Sequence, residues 1–295
     1  FWTGGVVLPY HELIEAAAKT DDIDLTEFVA EVPSEGYEQF LYASEHVTHG
    51  CAITGLQAVR TAIDAASKVL PGPWANYLAW IDSELSRLWT MQGSAPGLGS
   101  ALSCSHTKFN GTLFALALAS ELEEGEDPWP AAEAIFAGAR TPPARAPKIS
   151  SIQSKPFKRL REQEPDRYDL MHLLSCFELT KEQAQTAYAR PDILAVLANP
   201  YLIFEDTRLS SNPVSLTTID RGLFPSEKTA AKPALPRECE IDLDEADHPL
   251  RLRAIVIEAL EQAALQGHTL LSAEILSTAV AELPLSRTVT IDGPT

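Results

Sequence analysis

The stretch "PGLGSAL" at 96–102 has the residue types that can hold a phosphate without touching a base. Gly97 and Gly99 bracket a single leucine, so the backbone can approach a ligand closely, and Ser100 opens an apolar helical run whose first amides carry partial positive charge. That is the chemistry of a helix-hairpin-helix turn, which binds nucleic-acid backbone without reading sequence. The pattern equally suits a plain turn between two helices, because only Arg87 and Lys108 lie near it in the chain.

A second candidate is "KPFKRLREQ" at 155–163, which puts Lys155, Lys158, Arg159 and Arg161 along one exposed surface. Neutralising a few phosphates there would make binding strongly salt-dependent. Phe157 lies among these cations and is a candidate platform for an unpaired base. The competing reading is a solvated basic linker.

Weaker constellations follow. In "SEHVTHG", His46 and His49 stand three apart beside Glu45, the spacing of two imidazoles sharing a metal, but a site needs a third ligand; capping or half-buried histidines are the simpler reading. Ser103 with His106 lacks the orienting acid and oxyanion loop of a nucleophile pair. The run Glu238, Glu240, Asp242, Asp244, Glu245 and Asp247 has neither the central glycine nor the closing glutamate of a calcium loop, and reads as a self-repelling connector. His268 directly follows Gly267, a position that suits a helix corner better than a catalytic site. Trp74, Trp80, Trp89 and Trp129 read as core. Neither a phosphate-cradling G-x-x-x-x-G-K-[ST] nor a G-x-G-x-x-G, G-x-S-x-G or H-E-x-x-H occurs, so no catalytic residue is assigned and no complete nucleotide-driven motor lies in these residues.

Composition bounds what these residues serve. The 295 residues, 45% hydrophobic, are ample for two or three compact units. Four scattered cysteines without a C-x-x-C pair point to a reducing cytoplasm, and no apolar run is long enough to cross a bilayer. A net charge of −18 argues against a chain coated in nucleic acid, yet residues 140–167 carry eight basic side chains against three acidic ones. A start at Phe1 and an end in "TVTIDGPT" suggest a piece of something longer.

Apolar residues recur at three- and four-residue intervals, which predicts a mainly α fold of helical bundle units, with helices over 35–48 and 99–122 among them. We expect an N-terminal helical unit over 1–139 with the hairpin-like turn, a basic proline-rich linker over 140–156, a small helical unit over 157–224, an acidic connector over 225–248, and a winged-helix-like unit over 249–295. In the last, two helices precede "RTVTI" and "DG", the signature of a strand and a tight turn.

Three segments carry a family resemblance: "LANPYLIFE" at 197–205, "VSLTTIDRGLF" at 214–224, and "HPLRLRAIVIEALEQAALQGHTLL" at 248–271. In order and spacing they resemble the region preceding the motor in RecD-like ATP-dependent DNA helicases of superfamily 1. The upstream "YASEHVTHG", "LPGPWANYLAWID" and "PGLGSAL" resemble the N-terminal extension of longer bacterial relatives. At "FEDTRLSSNP" the chain departs from the family, which carries a glycine-rich hairpin after "NPYLI". The resemblance implies a non-motor region that guides single-stranded or forked DNA beside a motor domain or subunit, in genome maintenance or phage defence. ATP and Mg would belong to that absent motor, and no cofactor is expected in this chain. The alternatives are an acidic helical scaffold that docks a motor subunit, and a metal-dependent nuclease using His46 and His49.

Overall fold

The computed structural model describes residues 6–20, 23–30, 40, 47–105, 109–123, 125–149, 151–226, 233–289 and 291. Among them are fourteen α-helices and no strand, so the fold is mainly α as the periodicity predicts. No helix is long and apolar enough to cross a membrane. The chain divides into two compact units, residues 1–92 and 93–295.

The first unit holds α1 (Tyr10–Ala17), a 3-10 turn at Leu25–Phe28, α2 (His49–Val69) and α3 (Trp74–Gln92). Thr48 caps α2 by accepting from the Cys51 amide. Helices α2 and α3 pack together around Ile63, Ala66, Trp74 and Ile81, with Leu13 and Phe28 closing that core. Trp74 fixes the connection by donating its indole N–H to the Leu70 carbonyl at 2.7 Å.

The second unit contains α4 (Leu98–Ser105), α5 (Gly111–Ala119), α6 (Pro128–Phe136), α7 (Ser151–Gln163), α8 (Pro165–Ser175), α9 (Lys181–Tyr188), α10 (Ile193–Ala198), α11 (Leu202–Thr207), α12 (Leu216–Leu223), α13 (Pro249–Leu265) and α14 (Ala273–Glu282). One continuous core runs through them, and α4 lies at its centre, packed on α5, α8 and α9. Local chemistry sets the boundaries: Asp127 and Ser272 cap α6 and α14, Pro stands in the first turn of α6, α8 and α13, and Thr180 with Gln183 forms a capping box on α9.

Several expectations change. The single helix expected over 99–122 is two, because Asn110 caps a new helix through the Leu113 amide. The expected linker over 140–156 gives way to helix α7 from Ser151 onward. The unit boundary falls at 92/93. In the C-terminal part α13 and α14 are present as expected, but no strand forms among the described residues of "RTVTI"; instead Leu285 and Val289 are buried in the core and the Arg287 carbonyl accepts from Arg251. The expected helix at 35–48 lies outside the described residues, apart from its last two positions and Phe40.

"GHT" is a helix corner. Gly267 has φ +90°, its N–H donates to the Ala264 carbonyl, and the His268 N–H donates to Ala263, both at 3.0 Å. These two bonds are the Schellman termination of α13. The His268 residue is exposed beyond it.

Candidate nucleic-acid interface

Helix α7 is amphipathic in an unusual sense: its apolar side is narrow and its outer side is basic. Phe157 and Leu160 are buried, and Phe157 stacks on Phe136 with ring centroids 4.3 Å apart and planes at 15°. Tyr168 meets the Phe157 ring edge-on at 5.6 Å. Phe157 is therefore the anchor of α7 in the core, which corrects its reading as a base platform. With that side fixed inward, Lys155, Lys158, Arg159 and Arg161 are all exposed.

Helical periodicity then divides the four cations. At 100° per residue, positions 155, 158 and 159 share one face, while 161 sits at the edge of the buried side. Arg161 accordingly lies 3.7 Å from the Glu133 carboxylate and 6.0 Å from the Tyr168 ring. Lys155, Lys158 and Arg159 line a cleft of about 670 Å³, with Cys104 of α4 and Tyr188 of α9 among its other walls. Lys158 is 3.8 Å from Glu162. Lys155 and Arg159 form no ion pair among the described residues, one helical turn apart on that face.

Tyr188 is held from outside the cleft. The Arg167 guanidinium stands 5.2 Å from its ring centroid and donates to its backbone carbonyl at 2.6 Å, and Glu164 lies 3.7 Å from the same guanidinium. Burial pushes the Tyr188 phenol up to about 12, and pushes the Cys104 thiol up to about 11 against the opposing pull of Lys181. Both groups are neutral near pH 7, so the charge of the cleft comes from Lys155, Lys158 and Arg159 against Glu162 and Glu164.

The glycine corner has the packing of the plain turn between helices that its sequence also allows. The Gly97 N–H donates to the Ser175 carbonyl at 2.9 Å, and a Cβ at Gly97 would lie 1.9 Å from the Phe177 carbonyl oxygen. A Cβ at Gly99 would lie 2.7 Å from the Thr112 Cα. Ser100 donates through Oγ to the Leu179 carbonyl at 2.7 Å. Leu98 is 2% exposed between them. The corner packs α4 against α5 and α8, and its Gly97 amide is already engaged inside the unit. Ser103 belongs to the same packing: its Oγ donates to Gly99 and accepts from the Gly111 amide. Gly97, Gly99 and Ser100 are not among the residues that line the cleft of Lys155, Lys158 and Arg159, although Cys104 on the same helix is.

His49 is the first residue of α2 and half-buried; His46 and His106 lie outside the described residues. No group of three or more His, Cys, Asp or Glu is placed to hold a metal among the described residues. Trp74, Trp89 and Trp129 are buried core, and the acidic 238–247 stretch forms turns, Asp242 accepting from the Asp244 amide.

One polar constellation escaped sequence reasoning. Tyr201 donates through its hydroxyl to Asp220 at 2.7 Å, and Arg251 grips the same carboxylate through Nε at 2.7 Å and Nη2 at 3.0 Å. Arg251 also donates to the Ala246 and Arg287 carbonyls, and its guanidinium lies 4.4 Å from the Phe224 ring centroid. Tyr201 and Arg251 are fully buried and Asp220 is 1% exposed. Burial beside the Asp220 charge holds the Tyr201 phenol well above its usual range. The three segments "NPY", "DRG" and "RLR" thus converge on a single network, sealed from solvent. It ties α11, α12 and α13 together and presents no group to a ligand.

Comparison with protein-family models, curated proteins and solved structures finds no match.

Proposed function

We propose that the chain is a DNA-binding accessory region of a RecD-like ATP-dependent helicase, holding strands by their backbones next to a motor supplied elsewhere. The order of the "NPY", "DRG" and "GHT" segments supports the helicase context. The single observation that carries DNA contact is the outer face of α7, where Lys155, Lys158 and Arg159 stand exposed around one cleft in a chain of net charge −18. Local cations of this kind bind phosphates without reading bases.

Fluorescence anisotropy with labelled single-stranded and forked DNA tests the reading. Binding that weakens with salt, and that drops at least about ten-fold in K155E/R159E, is the expected result. Absence of binding at tens of micromolar protein in low salt removes it.

A second reading, an acidic helical scaffold docking a motor subunit, is favoured by the α13–α14 corner. There Leu265 is 82% exposed and Leu270 90%, with Leu260 and Ile275 also exposed. Co-elution with a RecD-like motor subunit that is lost in L265S/L270S, and kept in K155E/R159E, would select it.

A further inference from the structure

A duplex and a single strand would meet the α7 cleft differently. A duplex offers its phosphates outward and keeps its bases stacked inside, so a recessed aromatic ring adds nothing to its binding. An unpaired strand has free base faces, and stacking on an aromatic ring is tolerant of base identity. The cleft has both components of a single-strand site: two cations without ion partners among the described residues, Lys155 and Arg159, and a neutral aromatic wall, Tyr188. Its volume of about 670 Å³ is of the order of small-molecule sites, and the cleft is open to solvent rather than enclosed. Arg167, which is not among the cleft-lining residues, holds the tyrosine through its contact over the ring and its bond to the Tyr188 carbonyl. The ring is therefore set in place before any ligand arrives, and stacking on it requires little ordering of the protein.

We infer that this cleft is a single-strand-selective subsite, in which Lys155 and Arg159 take consecutive backbone phosphates of unpaired DNA and a base stacks on Tyr188. The inference rests on the DNA-binding reading given above. It adds the subsite itself: which two cations take the phosphates, and which ring makes this cleft prefer an unpaired strand to a duplex. Lys158 contributes less than its two neighbours because Glu162 stands 3.8 Å from its ammonium. Cys104 forms a neutral wall without a role in binding.

The test uses the full chain with an oligo-dT carrying 5-iodouracil and a duplex of equal length. Irradiation is expected to crosslink the oligo-dT to the peptide containing Tyr188. In anisotropy, wild-type protein and Y188F should bind oligo-dT alike, Y188L should lose roughly five-fold or more, and Y188L should leave the weaker duplex binding unchanged. K155E/R159E should weaken both ligands. Crosslinks confined to other peptides overturn the subsite even if Y188L fails to fold. Duplex binding equal to or tighter than oligo-dT binding, or unaltered oligo-dT affinity in folded Y188L, also overturns it; if K155E/R159E still weakens DNA binding in that case, the broader DNA-binding role stands. Absence of binding to either ligand overturns both.

Discussion

At the scale of single residues, the Asp220–Arg251 pair has the largest consequence. Removing one member of a buried ion pair strands the other in a medium that cannot solvate it, at a cost of about 3–5 kcal/mol, whereas replacing both by apolar residues costs far less. R251M should therefore move the urea midpoint of the second unit sharply downward, and D220L/R251M should recover much of that loss. If R251M unfolds at the wild-type midpoint, the network is not what joins α11 to α13. The pair was invisible to pattern reading because its members lie 31 residues apart and Asp220 sits in an apolar stripe that periodicity alone marks as helix. What the sequence did show was the order of the segments, and it could not show that their polar groups turn inward. Glu162 makes the opposite kind of prediction. It is exposed and pairs only loosely with Lys158, so E162Q should leave stability within about 0.5 kcal/mol. It should also raise DNA affinity by removing a negative charge from the cleft, a change that the same anisotropy measurement reads.

At the scale of elements, glycine and histidine decide how helices meet. G97A requires the α4 corner to move away from Phe177, because the added Cβ would lie 1.9 Å from that carbonyl oxygen. A loss of at least about 2 kcal/mol is expected in chemical unfolding. A helix-hairpin-helix phosphate site would instead predict a folded variant with weakened DNA binding, so the two roles separate in one experiment. Helices α6 and α8 supply a pH dependence. His172 packs its ring 4.6 Å from that of Trp129, and burial lowers its pKa from the ordinary 6.5, although Asp127 and Glu133 pull the other way. A histidine whose folded pKa is depressed binds its proton more readily in the unfolded chain, so its contribution is complete above about pH 6.5 and is lost as the pH falls further. The second unit should lose stability between pH 7.5 and 5.5, and H172N should flatten that slope; an equal slope in wild type and variant refutes the assignment. The helical character of both units was legible from spacing, and so was the break at "APGLG". Helix α7 was not legible as a helix because Pro156 and nine polar or charged residues mask its apolar positions. Among its described side chains, Phe157 and Leu160 are the buried ones.

At the scale of the whole chain, the distribution of charge would confine the proposed DNA contact to one unit. Residues 1–92 contain four basic and thirteen acidic side chains, whereas residues 93–295 hold nineteen of the twenty-three cations and all three that line the α7 cleft. Each unit still sums to −9, so the long-range field repels DNA from both and the cleft acts only at short range. Two consequences follow for experiments on fragments. A chain starting at Gly93 has its own continuous core from α4 to α14 and should fold alone, with a cooperative unfolding transition. It should bind single-stranded DNA at least as tightly as the full chain, since it loses a −9 partner and none of the cleft. A fragment of residues 1–92 should show no binding at the same concentrations. With only about two to three phosphates neutralised, the logarithm of the binding constant should fall with the logarithm of salt concentration at a slope near −2 for a single strand. A slope of −5 or steeper would mean that cations far from α7 carry the contact; binding retained by residues 1–92 would place it in the other unit altogether.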